Sequence, residues 1–410
     1  MRIEHPHRHE RFGAVRIHET IQVIELDSGL SGADDAATIE GRLVDLVSPA
    51  GLIAVERKMA IIVPTKNERR KVIEGVLSAI PHDCLIILVS ASEREPVDRF
   101  EIETGLLERF CESADRPALA IHQDDPGLAE ALTASGMSRL VVDGTARRGK
   151  GEAMVIGILM AAAAGKAHIG FIDADNYVPG AVHEYVKVFA AGLHLASSPY
   201  AMVRISWQSK PKVEDGRLVF NRWGRTTHVT NRFLNSLLSV YNGFGTEVIR
   251  TGNAGEHAMT MELAMRMRFA GGFAVEPYEF IDLFEQFGGA APSPHPEVNR
   301  SQVDVFQVET RNPHFHEDKG EAHIATMRLE SISALLASDI CPDSVRTEIE
   351  DFLARESIDR AMVPEPVVYE PVEVADLDIF RRTLSKAAAF RALASDLGEF
   401  EARLGDDVVT

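Results

Sequence analysis

The chain has 410 residues and a formal net charge of −19, from 62 Asp and Glu against 43 Lys and Arg. That excess argues against a nucleic-acid surface and requires any phosphate-bearing partner to meet a local basic pocket. The longest apolar stretch, 155–165, is too short to span a bilayer, and the polar start MRIEHPHRHERFG lacks the apolar middle of a signal peptide; no membrane role and a cytoplasmic location are therefore expected. Cys84, Cys111 and Cys341 are scattered, which suits a reducing compartment and fits neither a disulfide framework nor a zinc site.

In chain order, the first strand of the main fold is predicted over 59–65 (MAIIVPT). Asn67 is expected to cap a helix in which Val72, Val76, Leu77 and Ile80 recur at helical spacing before Pro81 ends it. Buried strands are predicted at 84–92, 118–125 and 140–144, then an apolar helix over 150–165, a strand over 168–175 and a helix over 179–196 opened by Pro179. Strands alternating with helices indicate an α/β domain whose largely parallel sheet is covered on both faces. Further on, 200–207 and 217–223 read as antiparallel strands, 227–240 and 256–268 as helices, and 363–374 as an extended Pro-rich connector. A final amphipathic helix is predicted over about 376–404; its stripe of Phe380, Leu384, Ala387, Ala388 and Leu393 must bury itself on its own domain or on a second copy, and a homodimer is expected.

Open α/β sheets bind ligands at the carboxyl ends of their strands. The segments VPTKNE, SASERE, HQDD and DADN fall at such ends. In DADN, Asp173 and Asp175 stand one residue apart after an apolar run, an arrangement that suits a hard cation such as Mg2+, which keeps waters and takes substrate phosphates. Asp175 offers oxygen to that ion, and Asp173 can bind the same ion or a ribose hydroxyl. TARRGKGEAM (145–154) sets Arg147, Arg148, Gly149 and Lys150 at a helix start, where cationic side chains and backbone N–H groups can meet a phosphate. TGNAGEHAMT (251–260) gathers Asn253, Ala254, Gly255, Glu256 and His257 among small residues that let a ligand approach the backbone. The same segment also reads as a plain turn into a helix, with Asn253 or Thr251 as its cap. His314 and His316 share one side of an extended segment, where one of them can complete the metal site or both can be surface residues.

Together IVPTKNE, FIDADN, MVRISW, NAGEHAM and RNPHFHE, with ERFGAVRIHE near the N-terminus, resemble the mannosyl-3-phosphoglycerate synthase family over roughly 1–325. DADN alone would indicate only a nucleotide-sugar enzyme; NAGEHAM with RNPHFHE is far more specific. The resemblance implies a GT-A-like nucleotide-diphospho-sugar transferase fold, with a mixed, mostly parallel central sheet flanked by helices and a C-terminal helical extension. It divides the chain into an N-terminal extension (1–58), a catalytic domain (59–325, with its nucleotide-sugar half at about 59–176) and a C-terminal region (326–410). It implies metal-dependent, retaining transfer of mannose from GDP-mannose to the 2-hydroxyl of 3-phosphoglycerate, giving the precursor of the compatible solute mannosylglycerate. Mg2+ is the implied cofactor, with Mn2+ or Co2+ able to substitute.

By position, Asp175 resembles the family's metal-binding Asp and Asp173 its ribose-side partner. Pro64, Thr65, Asn67 and Glu68 resemble the loop that holds the nucleoside, and Lys150 with its neighbours the mobile loop near the diphosphate and acceptor. One of His314 and His316 resembles the second metal ligand. Gln123, Arg147, Gly149, Asn253, Ala254, Gly255, Glu256 and His257 are expected at the substrate, and Asp175, Glu256 and Lys150 in catalysis, with Glu256 binding substrate rather than acting as nucleophile. A glucosyl-3-phosphoglycerate synthase is the near alternative. A sugar-phosphate nucleotidyltransferase is more distant, because IVPTKNERR has no Gly-rich phosphate loop.

Overall fold

The computed structural model describes residues 1–26, 38–39, 41–214, 217–219, 225–316 and 319–393. Seven strands form the centre of one large sheet: β1 (Met59–Thr65), β2 (Leu85–Ser90), β3 (Ala118–His122), β4 (His168–Phe171), β5 (Ala201–Trp207), β6 (His257–Thr260) and β7 (Val303–Thr310), in the order β3-β2-β1-β4-β6-β5-β7. β1 to β4 run parallel, and β5 runs parallel to β7. β2 and β3 are buried along their whole length, and β1 everywhere except Pro64, as strands covered by helices on both faces should be. The sheet continues at both edges: Ile21–Glu25 runs alongside β7, and Arg391–Leu393 pairs antiparallel with β3 at the opposite edge.

β6 alone among the seven runs backwards, antiparallel to β4 on one side and β5 on the other. It replaces most of the helix expected over 256–268; only Met261–Ala264 makes a helical turn. All four residues of β6, HAMT, are buried between two strands. A short apolar run carries no periodicity that separates a buried strand from a helix, so its neighbours decide. The reversal matters for function. His257 stands level with Phe171 of β4 and Arg204 of β5, so the segment that enters β6 lies at the same rim as the segments that leave the parallel strands.

Five helices bear on that rim or its support: α1 (Lys150–Ala163), α2 (Pro179–Leu195), α3 (Arg225–Asn242), α4 (Val275–Phe287) and α5 (Glu321–Leu336). Other expectations need correction. Asn67 does not cap a helix: it adopts a left-handed backbone (φ 59°), its N–H donates to Ser92 Oγ (2.8 Å), and its Oδ1 accepts from Glu93 N (2.9 Å). It therefore ties the loop after β1 to the loop after β2, and the helix itself starts at Arg70. The strand expected at 140–144 is a two-residue hairpin arm, Val141–Val142, outside the main sheet. Lys212–Glu214 and Arg217–Val219 pair as a hairpin, and 220–223 lie outside the described residues.

The last helix is short, Leu377–Leu384, and 394–404 lie outside the described residues. Phe380 and Leu384 are fully buried, and the helix packs on Pro126–Ala134, so the chain itself covers this part of the stripe and the face gives no motive for a second copy. Among the described residues no helix is long and apolar enough to cross a membrane.

Candidate functional site

A cavity of about 730 Å³ opens at the rim. Its first end is built by the loops after β1, β2 and β3: Pro64, Thr65, Asn67, Glu68, Ala91 and Gln123. Gln123 Nε2 donates to the Arg147 carbonyl (3.0 Å), which fixes the amide, and its Oε1 is buried with no partner among the described residues. Such an orphan acceptor beside a cavity suits a ligand N–H or O–H. The far end is built by Trp207 and Lys210 beyond β5, Thr226 and Thr227 at the start of α3, Asn253, and the His323, Ile324 and Met327 side of α5. There Asn253 Nδ2 donates to Ser331 Oγ (2.8 Å), and its Oδ1 is likewise buried without a partner among the described residues.

Asp173 and Asp175 stand between the two ends, and each is held by a lysine that also binds a glutamate. Lys150 Nζ lies 2.6 Å from Asp173 Oδ1 and 2.7 Å from Glu276 Oε1, the latter on α4. Burial disfavours the ammonium, but Asp173 and Glu276 outweigh it and raise the Lys150 pKa; burial would raise that of Asp173, but Lys150 outweighs it and lowers it. Gly255 makes this pair possible, since a Cβ there would overlap both the Asp173 carboxylate and the Lys150 ammonium. Lys319 Nζ lies 2.9 Å from Asp175 Oδ2 and 3.0 Å from Glu68 Oε1. The cavity wall thus carries Lys66, Arg148, Lys150, Lys210 and Lys319 against Glu68, Asp173, Asp175, Glu276 and Glu330. The local basic pocket expected from the sequence is instead a site of balanced charge.

The histidine segment reaches the aspartates through the backbone. Tyr177 N donates to Phe315 O (2.9 Å), and His314 N donates to Ser209 O (3.1 Å), so 314–316 is laced between the turn after β4 and the end of β5. His314 and His316 both line the cavity, with ring centroids 4.9 Å apart. They are not equivalent. His314 is buried against Trp207, its Nδ1 is 3.7 Å from Glu256 Oε1, and burial, followed by the charge of Lys210, pushes its pKa well down.

Four expected residues do not line the cavity. Arg147 turns away: its Nε donates to Arg139 O (3.1 Å), and it lines a separate depression with Arg139 and Pro366. Ala254, Glu256 and His257 are fully buried behind the wall. Glu256 Oε1 accepts from Asn176 Nδ2 (2.9 Å), and burial, followed by the charge of Asp173, pushes its pKa up to about 8. His257 donates from Nδ1 to Ala254 O (2.9 Å) and approaches Glu279 Oε1 at 2.8 Å. Glu279 also pairs with Arg204, whose Nε donates to Thr251 O (3.0 Å) and whose Nη2 donates to Glu276 O (3.1 Å). This buried group holds the backbone at Thr251, Ala254 and Glu276, and His257 within it does not line the cavity.

Lys210, Thr226, Thr227, Glu276, Lys319 and the α5 face were missed by sequence reading. Lys319 carried a faint signal, three residues after His316. Lys210 carried another, following Trp207 at a strand end with its Nζ 3.7 Å from the indole centroid. Glu276 and α5 carried none, because only the fold brings them to the rim.

Comparison with known proteins places the chain. The sequence profile of mannosyl-3-phosphoglycerate synthase matches residues 5–384. A protein of that name from Pyrococcus furiosus is 41% identical over 92% of this chain and 95% of its own length. Another from Aeropyrum pernix is 33% identical over 95% of this chain and 98% of its own length. In fold, the chain resembles glucosyl-3-phosphoglycerate synthase from Mycobacterium tuberculosis, solved with Mn2+, UDP-glucose and phosphoglyceric acid, at a TM-score of 0.50 and 17% identity over 80% of this chain and 96% of that one. The chain belongs to the mannosyl-3-phosphoglycerate synthase family of glycosyltransferases.

Proposed function

We propose that this protein transfers mannose from GDP-mannose to the 2-hydroxyl of 3-phosphoglycerate, with retention at the anomeric carbon. The observation that carries the reading is one continuous cavity with two chemically different ends and the Asp173–Asp175 pair between them. The end with Pro64, Asn67 and Gln123 takes the nucleoside, and the orphan Gln123 Oε1 accepts a hydrogen bond from the base. The end with Lys210, Thr226 and Thr227 takes the acceptor, whose phosphate and carboxylate need a cation and hydroxyl donors. The orphan Asn253 Oδ1 accepts from a sugar or acceptor hydroxyl.

The donor set fits a divalent cation. Asp175 already attracts a positive charge, that of Lys319, and His316 lies on the segment laced to Tyr177 beside it. Among the described residues no three His, Cys, Asp or Glu side chains converge. An incomplete protein shell of this kind suits Mg2+, with Mn2+ or Co2+ as substitutes, since such an ion keeps waters and takes phosphate oxygens. Asp175 and His316 would hold it, and it would supply Lewis-acid stabilisation of the departing diphosphate.

The chain's own residues do the rest. Lys150 holds Asp173 in place for the donor ribose, and Glu276 keeps Lys150 from drifting. Among the described residues each carboxylate of the cavity wall already has a partner: Asp173 and Glu276 hold Lys150, Glu68 and Asp175 hold Lys319, and Glu330 accepts from Phe273 N, while Glu256 is behind the wall. That favours same-face substitution over a covalent intermediate. The acceptor oxygen bonds to the anomeric carbon as the bond to the β-phosphate breaks, and the acceptor proton passes to the departing phosphate oxygen.

The test is nucleoside-diphosphate release by purified protein, GDP from GDP-mannose or GDP-glucose and UDP from UDP-glucose, each with and without 3-phosphoglycerate and Mg2+. Release only with GDP-mannose, acceptor and metal together supports the reading. Preference for a glucosyl donor assigns the chain to glucosyl transfer instead, and release independent of acceptor contradicts both.

A further inference from the structure

Lys319 lies against Asp175 Oδ2, in the place of a cation bound to that oxygen. Its ammonium contacts Asp175 Oδ2 at 2.9 Å and bridges to Glu68 on the nucleoside loop at 3.0 Å. An ammonium and a divalent ion cannot both sit against one carboxylate oxygen, because their mutual repulsion at about 3–4 Å is as large as the attraction each seeks. We propose that Lys319 is a built-in competitor for the divalent cation: it bridges Glu68 and Asp175 when the site is empty, and must leave Asp175 for the metal to bind there.

The geometry distinguishes this lysine from its neighbour. The Lys150 side chain is only 15% exposed, and losing Asp173 would strand it. The Lys319 side chain is 39% exposed and can turn into water at small cost. Glu68 and Asp175 are each 13% exposed, so without ligand they need a positive charge nearby, and Lys319 supplies it. Lys319 also shares its segment with His316. Both a candidate ligand, His316, and the metal's rival, Lys319, thus line the same cavity as Asp175. The device would keep the enzyme from binding metal tightly on its own.

This proposal rests on Asp175 as a metal ligand, and the test separates the two claims. Mn2+ binding to the full-length protein, with no substrate present, is measured by the loss of free-ion EPR signal for wild type, Lys319→Met, Asp175→Asn and the double variant. The expected result is that Lys319→Met binds Mn2+ about tenfold more tightly than wild type, and that Asp175→Asn removes the gain in the double variant. If Asp175→Asn alone loses Mn2+ while Lys319→Met binds it equally or more weakly than wild type, the competitor idea fails and the metal assignment stands. If Asp175→Asn keeps wild-type Mn2+ binding, the metal assignment fails and the competitor idea falls with it.

Discussion

Two lysine bridges stand side by side in this site, and they have the same chemistry. Lys150 joins Asp173 to Glu276, and Lys319 joins Asp175 to Glu68. Their surroundings differ. The first is shut in by α1, α4 and the Gly255 turn, and the buried Glu279–Arg204–His257 group holds the backbone around it. The second faces the cavity mouth, with its lysine more than a third exposed. A buried ion pair loses much when one partner is removed, whereas an exposed one is worth little. The same residue types two positions apart on the DADN segment can therefore serve as a fixed strut in one case and an exchangeable contact in the other.

The largest effect should come from the aspartate on the exchangeable side. Asp175→Asn is expected to cut kcat at least 1,000-fold, roughly 4 kcal/mol of lost charge stabilisation, measured at saturating Mg2+. Activity within about tenfold of wild type would move the metal elsewhere.

The lysines themselves sharpen the contrast. Urea unfolding should show Lys150→Met destabilised by about 3 kcal/mol, because two poorly exposed carboxylates are left unpaired. Lys319→Met should cost less, about 1–2 kcal/mol: Glu68 and Asp175 lose their lysine, but that lysine is 39% exposed and its bridge is partly screened by water. Equal losses in the two variants would erase the distinction between strut and exchangeable contact.

Gly255→Ala probes the strut without removing a charge. The added methyl would push on both Asp173 and Lys150. About a 10- to 100-fold fall in kcat/KM is expected, since sub-ångström displacement of a positioning group is costly. Unchanged steady-state kinetics would mean that this pair does not need its present geometry.

The smallest effect concerns Glu256, whose pKa rises from 4.5 to about 8 on folding. The folded protein then holds this proton more tightly than the unfolded chain does. The resulting stability is full below about 4.5 and is lost as pH rises towards 8. Glu256→Gln is neutral at every pH and escapes that loss, so its Tm relative to wild type should climb between pH 5 and pH 9. A pH-independent difference would show that Glu256 is already ionised in the folded protein.

The parallel half of the site was legible in sequence because its residues follow their strands directly. Asn67, Glu68, Gln123, Asp173 and Asp175 each sit within a few residues of a recognisable apolar strand. The other half was not. Glu256 and His257 read as the start of a helix because HAMT is too short to show a period, and its pairing with β4 and β5 is a long-range fact. The TARRGK turn announced phosphate binding through its charge. Sequence could not reveal that Lys150 is spoken for by Asp173 and Glu276, or that Arg148 pairs with Asp124.

Joining of a mannosyl group to 3-phosphoglycerate across this cavity is tested most directly by NMR of the product. Incubation with GDP-mannose, 3-phosphoglycerate and Mg2+ should yield one new sugar phosphate, with mannose linked at the glycerate 2-oxygen, the donor's anomeric configuration kept, and none formed by Asp175→Asn. A product of inverted configuration, a linkage elsewhere, or free mannose with no conjugate would contradict it.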